Sequence, residues 1–181
     1  MPSPVLPFQI LAERHVGVTP ENAAEYAQAA AICLSRHHQS PIEFVLRVNN
    51  AEQSASLEWQ IPDERTRRAW ANADDATRDG AYALALAGVE LTLGLAAIQR
   101  AETKSGADYY VAPINDLSED METWIRLEIS GVDRGNETAV NQRLRRKLQQ
   151  LKFGASNAPA FAAVVGFSAR LIAIQALEES K

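Results

Sequence analysis

Residues 81–98, AYALALAGVELTLGLAAI, carry one charge, Glu90, in 18 positions. A run this apolar must be covered on every side, by lipid or by a protein core. The span sits at the short end of what crosses a bilayer, and an acid at its centre costs roughly 3 kcal/mol on insertion scales. A buried helix from about Ala76 to Ala101 is therefore expected, and no membrane partner. Gly80, Gly88 and Gly94 each cost such a helix about 1 kcal/mol relative to alanine, which makes sense where another backbone comes close, as under a sheet. Glu90 needs a polar partner, because unpaired burial of a carboxylate is costly.

The rest of the chain supplies the cover. Thr19-Pro20-Glu21 reads as a helix start, with a capping hydroxyl, proline at the first helical position and an acid in the first turn. That helix is expected over 20–36. Period-two alternation predicts strands over 42–48 and 55–61, joined through Asn49-Asn50. The charged stretch 63–79 fits a short helix and a turn, with Arg65, Arg67 and Arg68 on a solvated face. Beyond the apolar helix come two short strands, 108–113 and 124–130, around a polar loop. Asn136 then caps a helix over 137–152, whose Val140, Leu144, Leu148 and Leu151 fall within an arc of about 80°. A buried strand is expected over 160–168, and Arg170 to Leu177 fits a last strand better than a helix, for want of a cap.

This pattern describes one α+β domain: a mixed sheet on three main helices, with an N-terminal helix and hairpin (1–62) leading into a core (76–168). At 181 residues a single domain is the natural size. A lone cysteine, Cys33, allows no internal disulfide and fits a reducing compartment. No cleavable leader is recognisable near Met1, and a cytoplasmic location follows as the expectation. The adjacent His37 and His38 point in different directions from a helix end, so they are expected in solvent.

The candidate chemistry lies in carboxylates. Glu90 stands about 16 Å before the expected helix end, and an extended return from Glu102 covers up to about 23 Å, so Asp108 can come back level with it. In the second strand Trp124, Arg126, Glu128 and Ser130 share one face, while Ile125, Leu127 and Ile129 form the dry one. If opposed residues sum to 236 or 238, Asp108 and Glu128 lie side by side. A one-residue slip separates them. Glu90, Asp108 and Glu128 together would suit magnesium or manganese, hard cations that want oxygen ligands. The following helix adds Arg143, Arg145, Arg146, Lys147 and Lys152 with no acid among them. Of these Arg143, Arg146 and Lys147 are the candidates for contact with nucleic acid or an acidic protein surface, despite a net charge of -5.

The order of a helical Glu, a Gly-x-Asp strand (Gly106 to Asp108), a Glu-bearing strand and a basic helix resembles the restriction-endonuclease-like, or PD-(D/E)xK, superfamily, over about residues 76–168. The resemblance implies a nuclease-like core, Asp108 and Glu128 as catalytic acids, and metal-dependent cleavage or binding of nucleic acid in a bacterial defence or toxin–antitoxin setting. The chain departs from the pattern at Ser130, where the lysine belongs; Lys147, from the next helix, would then fill the catalytic role. It also resembles small uncharacterised bacterial proteins with DYW-like and LEVSG-like strands, here ADYYV and LEISG. Three accounts stay open on the sequence: a metal-dependent nuclease, an inactive version of that fold serving as a binding, antitoxin or immunity protein, and an unrelated α+β binding protein.

Overall fold

A computed structural model describes residues 2–115, 120–154 and 156–178. Helix α1 (Pro20–His37) starts where expected, with the Thr19 hydroxyl accepting from the Asn22 amide. Strand β1 (Ile42–Val48) turns at Asn49-Asn50, with Asn49 at positive φ, and runs straight into β2 (Ala51–Leu57). This is earlier than the expected 55–61. Two turn residues leave no slack, so Ile42 pairs with Leu57 and the ladder ends there. Trp59 instead anchors an extended strap, donating its amide to the Ser40 hydroxyl and its indole N–H to the Ser35 hydroxyl.

The short helix α2 (Glu64–Ala69) is capped by Asp63 and buries no residue, as a solvated charged face should. The apolar helix α3 (Ala73–Leu93) ends eight residues before the expected boundary. Gly94 closes it at φ 65°, a left-handed cap that glycine adopts without a Cβ penalty. The chain then reverses into β3 (Leu95–Arg100), where the apolar run predicts the end of the helix. Strands β4 (Tyr109–Pro113) and β5 (Ile125–Val132) follow, then α4 (Glu137–Lys152), β6 (Ala160–Gly166) and β7 (Leu171–Ala176). The polar loop expected between β4 and β5 falls in part on residues 116–119, outside the described residues.

One mixed sheet of seven strands, in the order β2-β1-β7-β6-β5-β4-β3, joins the N-terminal hairpin to the core. Strands β1 and β7 are parallel, as are β5 and β6, and the other neighbours are antiparallel. The protein is thus a single α+β domain. Period-two alternation along β6 sends Ala163 and Val165 into the α1–α3 layer and Ala162 and Val164 into the smaller layer under α4. Helices α1 and α3 cross closely: a Cβ on Gly80 would lie 3.0 Å from the backbone of Ala29 and Ala30. The close neighbour of that glycine is therefore a helix, where a sheet was expected. Among the described residues no helix is long and apolar enough to cross a membrane.

Candidate active site

Strand β4 meets β5 only over Tyr109–Val111, with Tyr109 opposite Leu127, Tyr110 opposite Arg126 and Val111 opposite Ile125. Each pair sums to 236, the register that sets Asp108 beside Glu128. Strand β5 runs on to Val132 with only β6 as neighbour, so the sheet has a notch beside Glu128–Gly131. Asp108 sits at its lip. Its Oδ2 accepts from the Ile129 amide at 2.8 Å, so a side-chain carboxylate continues the ladder where the β4 backbone has turned away.

The notch opens into a cleft of about 400 Å³ between α3, β5 and α4, lined by Asp74, Thr77, Arg78, Tyr82, Asp108, Glu128, Ile129, Ser130, Gly131, Arg143 and Lys147. Leu127 and Ile129 point into the main core, which turns Glu128 and Ser130 towards α4, as the alternation predicted. Lys147 donates to Glu128 Oε1 at 2.5 Å. Arg143, one turn earlier, donates to the Ser130 hydroxyl at 3.3 Å. Burial pushes the Glu128 carboxyl up to about 7, the Asp108 carboxylate adds to the rise, and Lys147 opposes it.

Asp108 has a second anchor that sequence reasoning missed. Tyr82, buried on α3, donates its phenol to Asp108 Oδ1 at 2.8 Å, and Arg100 donates to the same phenol oxygen at 3.0 Å. The Arg100 guanidinium also lies over the Tyr82 and Tyr109 rings, 4.6 and 4.8 Å from their centres. A signal existed: Tyr82 carries the only phenol in an apolar run, and a buried tyrosine hydroxyl finds a partner. Arg100 was hidden by its assignment to the helix.

The expectation for Glu90 needs correction. Its carboxylate is held by the Arg14 guanidinium and, at 2.9 Å, by His15 Nε2. Since His15 Nδ1 accepts from the Ala97 amide at 2.9 Å, the ring is the neutral Nε2–H tautomer, and burial holds its pKa below the usual value. Glu90 lies eight residues, about 12 Å, along α3 from Tyr82 and does not line the cleft. The convergence of three acids fails because β3 carries the chain back along α3 before Asp108 is reached.

Arg146 is exposed and outside the cleft lining, while Arg145 borders a separate hollow with Asn141 and Gln175. His37 and His38 are half-buried and not in open solvent: they pair with Asp133 Oδ1 at 3.0 Å and the Phe167 carbonyl at 2.8 Å. Arg126 is buried beside the site, with its guanidinium donating to the carbonyls of Ser105, Leu151 and Ala158.

Among the described residues no group of three or more histidine, cysteine or acidic side chains is gathered for a metal. Asp108 and Glu128 offer two carboxylates in a polar cleft. Such a donor set fits magnesium, which commonly takes one or two carboxylates and fills its sphere with water and phosphate, and does not fit an all-protein cage. No protein-family model, curated protein or solved structure matches the chain.

Proposed function

We propose that the chain is a PD-(D/E)xK-like protein whose cleft holds magnesium or manganese between Asp108 and Glu128 and cleaves or binds the phosphodiester backbone of nucleic acid. The observation that carries the reading is the β4–β5 register: it pairs these two acids at an open notch of the sheet, with a lysine in contact. A bound divalent cation supplies activated water and charge stabilisation for phosphoryl transfer. The chain's own residues do the rest. Tyr82 and the Ile129 amide fix Asp108 from two sides. Lys147 neutralises Glu128 and offers an ammonium group beside the acids, and Arg143 and Arg146 are the candidates for backbone contact.

A second reading, an inactive binding, antitoxin or immunity protein that meets a protein partner through α4, is favoured by specific contacts. Both Asp108 oxygens and one Glu128 oxygen already have protein donors, and Ser130 stands where the pattern's lysine belongs. Thermal melting with and without Mn²⁺, beside a plasmid- and RNA-cleavage assay, separates the two. The first reading expects stabilisation by metal that Asp108→Asn abolishes, together with cleavage or a mobility shift that weakens with salt. If Mn²⁺ leaves the melting temperature unchanged, no nucleic acid is cut and none is shifted at low salt, the second reading stands alone.

A further inference from the structure

Two cross-links join β5 to α4 in the cleft. Lys147 meets Glu128, and Arg143 meets Ser130. Glu128 and Ser130 are two residues apart on one strand face, about 7 Å, and Lys147 and Arg143 are one turn apart, about 6 Å. The links therefore lie side by side, but they differ in charge. The first is a matched ion pair; the second sets a guanidinium against a neutral hydroxyl.

Among the described residues no ion pair includes Arg143, its one hydrogen bond goes to the Ser130 hydroxyl, and its Nε is buried with no hydrogen-bond partner. A guanidinium has five N–H donors and keeps its charge, and a buried donor left unsatisfied costs about 1–3 kcal/mol. Arg78, the other arginine of the lining, is already held by Asp75 and Asp79. Asp74, the remaining acid of the lining, stands in the first turn of α3, and no ion pair among the described residues joins it to Arg143. The wall at Arg143 and Ser130 is thus the part of the cleft where positive charge has no internal counterpart.

We propose that Arg143 and Ser130 seat a tetrahedral oxyanion of the phosphate type, next to the Asp108–Glu128 pair and without need of a metal there. The proposal rests on the cleft being the ligand site and names the group bound; it does not rest on metal binding. The guanidinium presents a fork of donors to two oxyanion oxygens, and the hydroxyl rotates to donate to a third or to the same one. Two sources carry this chemistry: a free phosphate or phosphorylated small molecule, and the phosphodiester of a nucleic acid.

The test uses the full chain in EDTA, titrated with inorganic phosphate, with a short oligonucleotide, and with acetate or chloride at matched ionic strength. The readouts are the Arg143 Nε–H resonance and the Ser130 and Gly131 amides. Phosphate is expected to move all three, and Arg143→Gln to weaken it about tenfold or more. Ser130→Ala should weaken it less. Arg145→Gln, an exposed charge two residues on, should leave it unchanged. An oligonucleotide that binds more tightly than phosphate through the same resonances supports the seat with nucleic acid as source; phosphate binding alone supports it with a small ligand. The proposal is overturned if acetate or chloride acts as strongly as phosphate, if no cleft resonance moves, or if Arg143→Gln and Arg145→Gln weaken binding equally. A parallel Mn²⁺ melt that shows no metal effect removes the metal reading and leaves the phosphate seat standing.

Discussion

Asp108→Asn probes the pairing of the two acids directly. Asp108 accepts from the Ile129 amide through one oxygen and from the Tyr82 phenol through the other. Asparagine keeps the amide contact through its carbonyl and turns its NH₂ towards the Tyr82 phenol oxygen, which already accepts from Arg100, so the phenol contact is weakened while the side chain's size and shape are kept. The substitution therefore removes charge with little change of shape. Glu128 is held at about 7 against an ordinary value of 4.5, by burial first and Asp108 second. A carboxyl raised on folding binds its proton more tightly in the native state, so stability falls as pH rises from about 4.5 to about 7. At 1.36 kcal/mol per pH unit the whole rise corresponds to about 3 kcal/mol, with burial its largest cause. Neutralising Asp108 should bring the Glu128 midpoint down while leaving it above 4.5, and should stabilise the metal-free protein at pH 7 by roughly 1 kcal/mol, the equivalent of about one pH unit. Carboxyl carbon shifts of Glu128 followed through pH, with urea denaturation at pH 5 and pH 7.5, measure both effects. An unchanged or higher midpoint in Asp108→Asn would falsify the coupling of the two acids.

Lys147→Met should act in the opposite direction: Glu128 loses its Lys147 ion pair, its midpoint rises, and the loss of stability towards neutral pH grows, as the same titration reads. Glu90→Gln should cost about 1–3 kcal/mol in urea denaturation through the Arg14 contact yet leave the Glu128 titration and the Arg143 resonance where they were; movement of either contradicts the separation of Glu90 from the cleft. Arg126→Met should cost roughly 3 kcal/mol or more, because the carbonyls of Ser105, Leu151 and Ala158 lose their donor in a buried place. Arg126→Lys should recover only part of that, since an ammonium lacks the fork that spans them.

Local chemistry in the sequence determined the helix starts at Thr19 and Asn136, the strand at 42–48, the split of β5 into a dry Leu127–Ile129 face and a wet Glu128–Ser130 face, and the candidacy of Asp108, Glu128 and Lys147. Each of these is set by neighbours a few residues away, through capping, period-two alternation or helical spacing. What the sequence could not decide was how those elements meet. Two registers brought Asp108 and Glu128 together and one slip parted them; the choice belongs to the assembled sheet, in which the short β4 ends and Asp108 completes the ladder to Ile129. The fate of Glu90 turned on a single backbone angle at Gly94, since apolar residues on either side of that glycine suit a buried helix and a buried strand equally well. Once the chain reverses there, β3 rises along α3 and delivers Arg100 and Asp108 to Tyr82, while Glu90 stays at the helix end with Arg14 and His15. Those two residues lie some 75 positions away in an irregular N-terminal segment, and no periodic pattern links such distant partners before the core has closed around them.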